Sequence, residues 1–287
     1  MTPKSKSDSV RKKLSNLALK LDVPYRNMET AFLIERLMAR LVADRKLKAK
    51  LVFKGGFVGL RVYDSPRYTI DLDALLVEAN IDSTLELTKQ RAEADIGDSV
   101  WFRFESQISL VTQGQYGGIR QVYRAGIGGI LTDIKRAQIV HFDLGIGDPI
   151  TPGPQEAETP SLFPSNEKIS WSVYPVETII AEKLHALLSH GDANSRSKDV
   201  HDLSVFLPRA DAKTLGTALK RCFEFRETEL PEKISVEIAN INTQRLEQGW
   251  ANSVSTVAKA PEFRAAFDAI VENMARLENS FINQGVN

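Results

Sequence analysis

The 287-residue chain predicts an α+β front lobe followed by an all-helical rear lobe. Three observations predict it. First, "KAKLVFKGG" and "RYTIDLDALLV" read as short strands, the first stopped by a glycine pair and both flanking the helix-like stretch "GFVGLRVYDS". Second, Leu110 to Ile150 is rich in β-branched residues and punctuated by Gly-Gly pairs, which mark hairpin turns or bulges. Third, the pattern becomes helical after "PITPGPQEAETPSLFP", which carries five prolines between residues 149 and 164. The expected organisation is a front lobe over 1–150, a proline-rich linker over 151–165 and a helical lobe over 166–287.

In chain order, residues 1–13 are polar and are expected to fray. From about Ser15 to Leu47, apolar residues recur at helical spacing, with Leu33, Ile34, Leu37 and Leu41 on one stripe, and predict one short and one longer helix. In the rear, "PVETIIAEKLHALLSHG", "KDVHDLSVFL", "AKTLGTALKRCFEF" and "PEFRAAFDAIVENMARL" each read as a helix, the first ended by Gly191. There is no internal repeat and no low-complexity tract.

Lys+Arg and Asp+Glu both total 37, so the net charge is zero. That argues against a non-specific basic coat for nucleic acid, but not against a local basic groove. The single cysteine, Cys222, rules out an intrachain disulfide. The basic N-terminus lacks the apolar stretch of a signal peptide, and no apolar run approaches the ~20 residues that span a bilayer. The expectation is a cytoplasmic protein without a membrane partner.

Side chains alternate faces along a strand, so Asp71 and Asp73 point the same way. Their Cα atoms lie roughly 6.6 Å apart, close enough for both carboxylates to meet one or two Mg²⁺ ions. Gly55 and Gly56 let backbone N–H groups approach a phosphate with no Cβ in the way, and the following helix points its positive end at the same anion. The plainer alternative is a glycine turn followed by a strand with a wet acidic face.

The combination strand, Gly-Gly, helix, strand, D-x-D resembles the signature of the DNA polymerase beta-like nucleotidyltransferase superfamily. The chain departs from it at Phe57, where that superfamily usually carries Ser or Thr; Thr69, two residues before Asp71, is the substitute hydroxyl. The superfamily also implies a third carboxylate on a later strand. Asp143 in "IVHFDLGIGD" is the candidate, because an acid inside an apolar strand needs a partner. Asp148, beside Pro149, reads as a turn residue.

Lys183 lies inside the stripe formed by Ile179, Ile180, Leu184, Leu187 and Leu188, so it must either snorkel or carry its ammonium to an anion. Asp199 and Asp202 share a face of the next helix, with Arg196 and Lys198 in the turn before them. The pair reads either as a helix cap or as an acid, Asp199, that orients Lys183 or an incoming hydroxyl while Arg196 and Lys198 meet phosphate. Arg61 and Arg67 are either phosphate or RNA contacts or solvated charges. The four histidines and Cys222 read as structural or surface residues, since none has a partner at metal-ligand or nucleophile spacing.

Taken in order, "KGG…R…IDLD", "FDLGIGD", "ETIIAEKLHAL" and "SRSKDVHDL" resemble the AbiEii/AbiGii family of nucleotidyltransferase toxins, which includes the MenT-type toxins of type IV toxin–antitoxin and phage-defence systems. The resemblance covers most of the chain. It implies a polymerase beta-like core with a helical C-terminal lobe and transfer of a nucleoside monophosphate from NTP, with Mg²⁺ (or Mn²⁺) as cofactor. It further implies an RNA acceptor such as the tRNA 3′ end, and an antitoxin encoded nearby. By motif match Thr69, Asp71, Lys183 and Asp199 fall on the positions the family relies on, with Asp73 in support. The resulting assignment makes Asp71, Lys183 and Asp199 catalytic. Gly55, Gly56, Thr69, Lys183, Arg196 and Lys198 bind the nucleotide, and Asp71, Asp73 and Asp143 hold the metal. Two alternatives stay open: transfer to a small-molecule or protein hydroxyl by the same site, and a non-catalytic nucleotide-binding relative.

Overall fold

The computed structural model describes residues 3–77, 80–111, 117–162, 167–190 and 195–283. Gly191 and the end of the proline-rich stretch at 163–165 lie outside them. The chain divides into two compact units: Met1–Val62, Tyr68–Gly147 and Glu156–Val173 form the first, and Tyr63–Arg67, Asp148–Gln155 and Tyr174–Asn287 the second.

The first unit begins with α1 (Pro3–Leu21), α2 (Tyr25–Ala43) and the single turn α3 (Arg45–Lys48). Helix therefore covers residues 3–13 of the polar stretch expected to fray, and residues 1–2 lie outside the described residues. Val10, Leu14 and Ala18, four residues apart, are buried on α1 and anchor it. Helix α2 is buried from Thr30 to Leu41, its charged residues included. Those charges are paired: Arg36 and Arg40 both reach Asp98, at 2.9 and 2.8 Å, and Glu35 pairs with Arg61 at 3.0 Å. Buried charges demand such partners.

Strand β1 (Leu51–Lys54), helix α4 (Gly55–Val62) and strand β2 (Asp71–Leu76) follow as the sequence predicts. Helix α5 (Ile81–Glu93) then leads into β3 (Val100–Val111), β4 (Gly117–Ile127) and β5 (Gln138–Ile146). The β-rich region thus starts ten residues before Leu110, and α5 was not anticipated. Two further strands, β6 (Gln155–Pro160) and β7 (Lys168–Val173), complete a seven-stranded sheet among the described residues, in the order β3-β4-β5-β2-β1-β7-β6. The sheet is mixed: β2 runs antiparallel to β1 and parallel to β5, whereas β1 and β7 are parallel.

The proline-rich segment is where expectation and structure part. It was read as a linker, but it supplies the edge strand β6. Prolines sit comfortably at a sheet edge because no neighbour needs their missing N–H, so they signal an edge strand as readily as a boundary. Trp171 on β7 shows what these late strands contribute. It is fully buried and packs against Phe53 and Phe57, with ring centroids 5.5 and 5.9 Å away. Phe57, which stands where a hydroxyl was expected, is therefore a core residue of the first unit.

In the second unit the helices are α6 (Val176–Ser189), α7 (Ser197–Phe206), α8 (Ala212–Phe225), α9 (Ile234–Ala239), α10 (Gln244–Ser253) and α11 (Phe263–Asn283). Ile179, Ile180, Leu184 and Leu187 form the buried stripe of α6, and Leu188 lies at its margin. Helices α7 and α10 approach closely because Gly249 has no side chain: a Cβ there would lie 2.6 Å from the Ser197 hydroxyl. That hydroxyl donates to the Leu246 carbonyl at 2.7 Å. Among the described residues no helix is long and apolar enough to cross a membrane.

Candidate active site

Within the first unit, the middle of the sheet carries an acidic face. Strand β2 has a strict alternation at its start, with Leu72 buried and Asp71 and Asp73 half-buried on the opposite side. Register extends this face across the neighbours. Asp71 lies opposite His141 and Asp73 opposite Asp143 on β5; Asp143 in turn lies opposite Arg120 on β4, and Lys54 on β1 lies opposite Asp73. Register partners point to the same side of a sheet, so two adjacent strands, β2 and β5, deliver three carboxylates to one surface.

The glycine pair now has a physical reason. Gly55 has φ +73°, a conformation that L side chains rarely adopt, and a Cβ on it would fall 2.1 Å from an Asp73 carboxylate oxygen. The turn between β1 and α4 is therefore shaped to leave room for the acid. Gly56 follows in the first turn of α4 and is half-buried. The Thr69 hydroxyl accepts the Asp71 backbone N–H at 3.1 Å, fixing the start of β2.

The acids are not bare. Arg120 holds Asp143 with both arms of its guanidinium, Nε to Oδ1 at 2.7 Å and Nη2 to Oδ2 at 2.6 Å, and Nη2 lies 3.9 Å from Asp71 Oδ1. The Asp143 hydrogen bond, with the nearby charges of Asp143, Asp71 and Asp73, holds Arg120 in its charged form more firmly than usual. Asp71 also contacts His141, Nδ1 to Oδ1 at 2.9 Å. That places a histidine on the acidic face. Among the described residues no three His, Cys, Asp or Glu side chains are arranged to hold a metal ion. Asp71, Asp73 and Asp143 share one face of the sheet, and Arg120 occupies both Asp143 oxygens. Asp71 and Asp73 remain a pair of hard oxygen donors on one face, a donor set that fits Mg²⁺ or Mn²⁺.

Within the second unit, the misplaced lysine of α6 finds partners. Lys183 Nζ lies 2.6 Å from Asp199 Oδ1 and 2.8 Å from Asp202 Oδ2 on α7. Both carboxylate side chains are 1% exposed. Asp202 also accepts both arms of Arg67, at 2.8 Å each, and Arg196 donates to Asp199. Burial alone would raise both carboxyls. Lys183 with Arg67 overcomes it at Asp202 and holds that group well below the usual carboxylate range, and Lys183 with Arg196 lowers Asp199. Burial opposes the charge on Lys183 too, but the two aspartates win and raise it. Lys198 is exposed.

Arg61 and Arg67 are neither solvated nor free for phosphate: Arg61 is tied to Glu35 and Arg67 to Asp202. Asp199 and Asp202 do not act as a capping pair, because their carboxylates receive side-chain cations. In pairing with Lys183, the sequence reading favoured Asp199 and left Asp202 in the background. Yet Asp202 is the acid that joins Lys183 to Arg67, and its position three residues after Asp199 was the available signal.

The profile of the nucleotidyl transferase AbiEii toxin family, of type IV toxin–antitoxin systems, matches residues 36–273. The chain belongs to the AbiEii family. As a member it is a nucleotidyltransferase of the type IV toxin class, and membership implies an NTP substrate and an antitoxin partner. Solved structures share the fold at low identity. A candidate nucleotidyltransferase from H. pylori is 15% identical with TM-score 0.53, and the alignment covers 89% of this chain and 98% of that one. JHP933 from Helicobacter pylori is 16% identical with TM-score 0.54, covering 90% and 95%. No curated protein matches the chain. The AbiEii match includes both clusters, from Gly55 to Asp73 in one unit and from Lys183 to Asp202 in the other.

Proposed function

We propose that this AbiEii-family chain transfers a nucleoside monophosphate from an NTP to the 3′-hydroxyl of an RNA, the tRNA 3′ end being the acceptor that the family resemblance implies, in the cytoplasm and with a divalent cation. The observation that carries the reading is the placement of Asp71 and Asp73 on one face of β2, with Gly55 vacating the space for Asp73. A bound Mg²⁺ would lend positive charge to the phosphoryl oxygens during transfer. Asp71 and Asp73 are the residues that would hold it, joined by Asp143. Gly55 and Gly56 present backbone N–H groups toward phosphate at the start of α4, and Thr69 sets the position of Asp71.

Lys183, Arg67 and Arg196 outnumber Asp199 and Asp202 by one positive charge, which favours an anion at their exposed end. In this reading Lys183, Arg196 and Lys198 bind the triphosphate and Asp199 keeps Lys183 oriented. The acceptor hydroxyl attacks the α-phosphate, the bond to the β-phosphate oxygen breaks, and pyrophosphate leaves. The double pairing of Lys183 also supports a second role for it, clamping α6 to α7.

The test is incubation of the full chain with each labelled NTP, Mg²⁺ and total tRNA. Label in tRNA from the wild type, reduced at least about a hundredfold in Asp71→Ala, is the expected result. A well-folded wild type that labels nothing beyond Asp71→Ala with any of the nucleotides overturns the reading. Label in protein or in a small molecule alone overturns the RNA acceptor.

A further inference from the structure

Four side chains form one row across four strands: Lys54 on β1, Asp73 on β2, Asp143 on β5 and Arg120 on β4. The two acids sit on adjacent strands, which are ~4.8 Å apart, and Asp71 lies on the same face two residues along β2. Three carboxylates so close repel one another unless a cation lies among them. In the protein by itself Lys54 faces Asp73 from β1, and Arg120 is a cation that reaches two of these acids, Asp143 and Asp71. Its planar fork matches a carboxylate in two places at once, and it uses both on Asp143 while its outer nitrogen leans toward Asp71.

We infer that Arg120 is the resident counter-ion of this acidic face, and that it competes with the divalent cation for Asp143. The inference rests on the proposed role of Asp71 and Asp73 as cation ligands and adds a residue which that role does not contain. As long as the guanidinium stays, a cation on Asp71 and Asp73 lacks its third carboxylate. When the fork lets go, Asp143 becomes available. The pair is accessible to such an exchange, since the side chains of Arg120 and Asp143 are 30% and 16% exposed. The arginine also has a purpose before any cation arrives, because it offsets the repulsion among the acids.

The experiment uses Mn²⁺ as the probe and reads free ion by electron paramagnetic resonance, with the full chain as wild type, R120Q, R120K, D143N, the double variant R120Q/D143N and, as the control without a cation ligand, D71N. R120Q is expected to bind Mn²⁺ about tenfold more tightly than wild type, because one positive charge beside the ion and one competitor for Asp143 are both removed. R120K, which keeps the charge without the fork, falls between them. D143N cancels the part of the gain that comes from the competitor, so the double variant exceeds D143N by less than R120Q exceeds wild type. A second readout is the rise in melting temperature that Mn²⁺ produces, larger in R120Q than in wild type. Mn²⁺ affinity in R120Q equal to or below that of wild type, with unchanged circular dichroism, overturns the inference. If wild-type binding is still lost in D71N, the proposed function survives that result. If no variant binds Mn²⁺ beyond D71N, both fall together.

Discussion

A methyl group on Gly55 would strike the Asp73 carboxylate and would sit on a backbone at φ +73°, so two separate physical penalties converge on one position. Gly55→Ala is expected to lose about 1–3 kcal/mol of stability by urea unfolding. It should also lower nucleotidyl transfer by more than that loss explains, because the displaced group is a candidate ligand. His185 offers a pH test. Burial first, then the charges of Arg226 and His190, bring its pKa down from 6.5 to about 4, so the folded protein holds it neutral. Between those two values the unfolded chain binds more protons than the folded one. The contribution of His185 is therefore present above about 6.5 and lost as pH falls toward about 4. Melting temperatures across that window should fall less steeply in His185→Gln than in wild type, and equal slopes would refute this account. That histidine packs on Phe223, with centroids 4.9 Å apart, and its Nε2 lies 3.0 Å from the Thr228 hydroxyl. No spacing rule finds such neighbours, because they lie 38 and 43 residues along the chain.

At the scale of elements, the decisive contact in the second unit is between α6 and α7. One ammonium and one guanidinium share Asp202, and all three groups are largely removed from water. Neutralising the acid leaves two cations under-compensated, so Asp202→Asn is expected to cost about 3–5 kcal/mol in urea unfolding. A loss below about 1 kcal/mol would mean that water reaches the cluster. Lys183 was legible as an anomaly because helical periodicity put it among Ile179, Ile180 and Leu187. What it pairs with was less legible, since Arg67 comes from a short stretch far away in sequence. Strand β2 was legible for a related reason. Its alternation is local, so Asp71 and Asp73 could be put on one face from the sequence alone, whereas Arg120 and His141 required the register of β4 and β5.

For the whole molecule, the two units do not follow the chain's halves. The expected boundary at residue 150 would separate β1 from β7 and strip Trp171 from Phe53 and Phe57. Losing one such buried aromatic costs about 3–5 kcal/mol, a large part of a domain's stability. A fragment ending at 150 is therefore expected to be insoluble or to lack cooperative thermal unfolding, whereas one ending at Val173 keeps the sheet and should be the better folded of the two. Circular dichroism melts of both fragments test this, and a cooperative transition in the shorter one would restore the simpler boundary. The prolines that suggested a linker carry no information about which sheet edge they lie on, which is why their meaning had to come from pairing.

From its amino-acid order the chain already determined its α+β class, the Gly-Gly and D-x-D elements, the odd placement of Lys183 and the AbiEii resemblance, because strand alternation, helical period and glycine punctuation act over a few residues. Only the tertiary structure decided that Gly55 makes room for Asp73, that Arg120 claims Asp143, that Asp202 links Lys183 to Arg67 and that β6 and β7 return to the sheet. Each of those depends on which distant backbones become neighbours, and that choice is made by the packing of the entire core rather than by any short stretch of sequence.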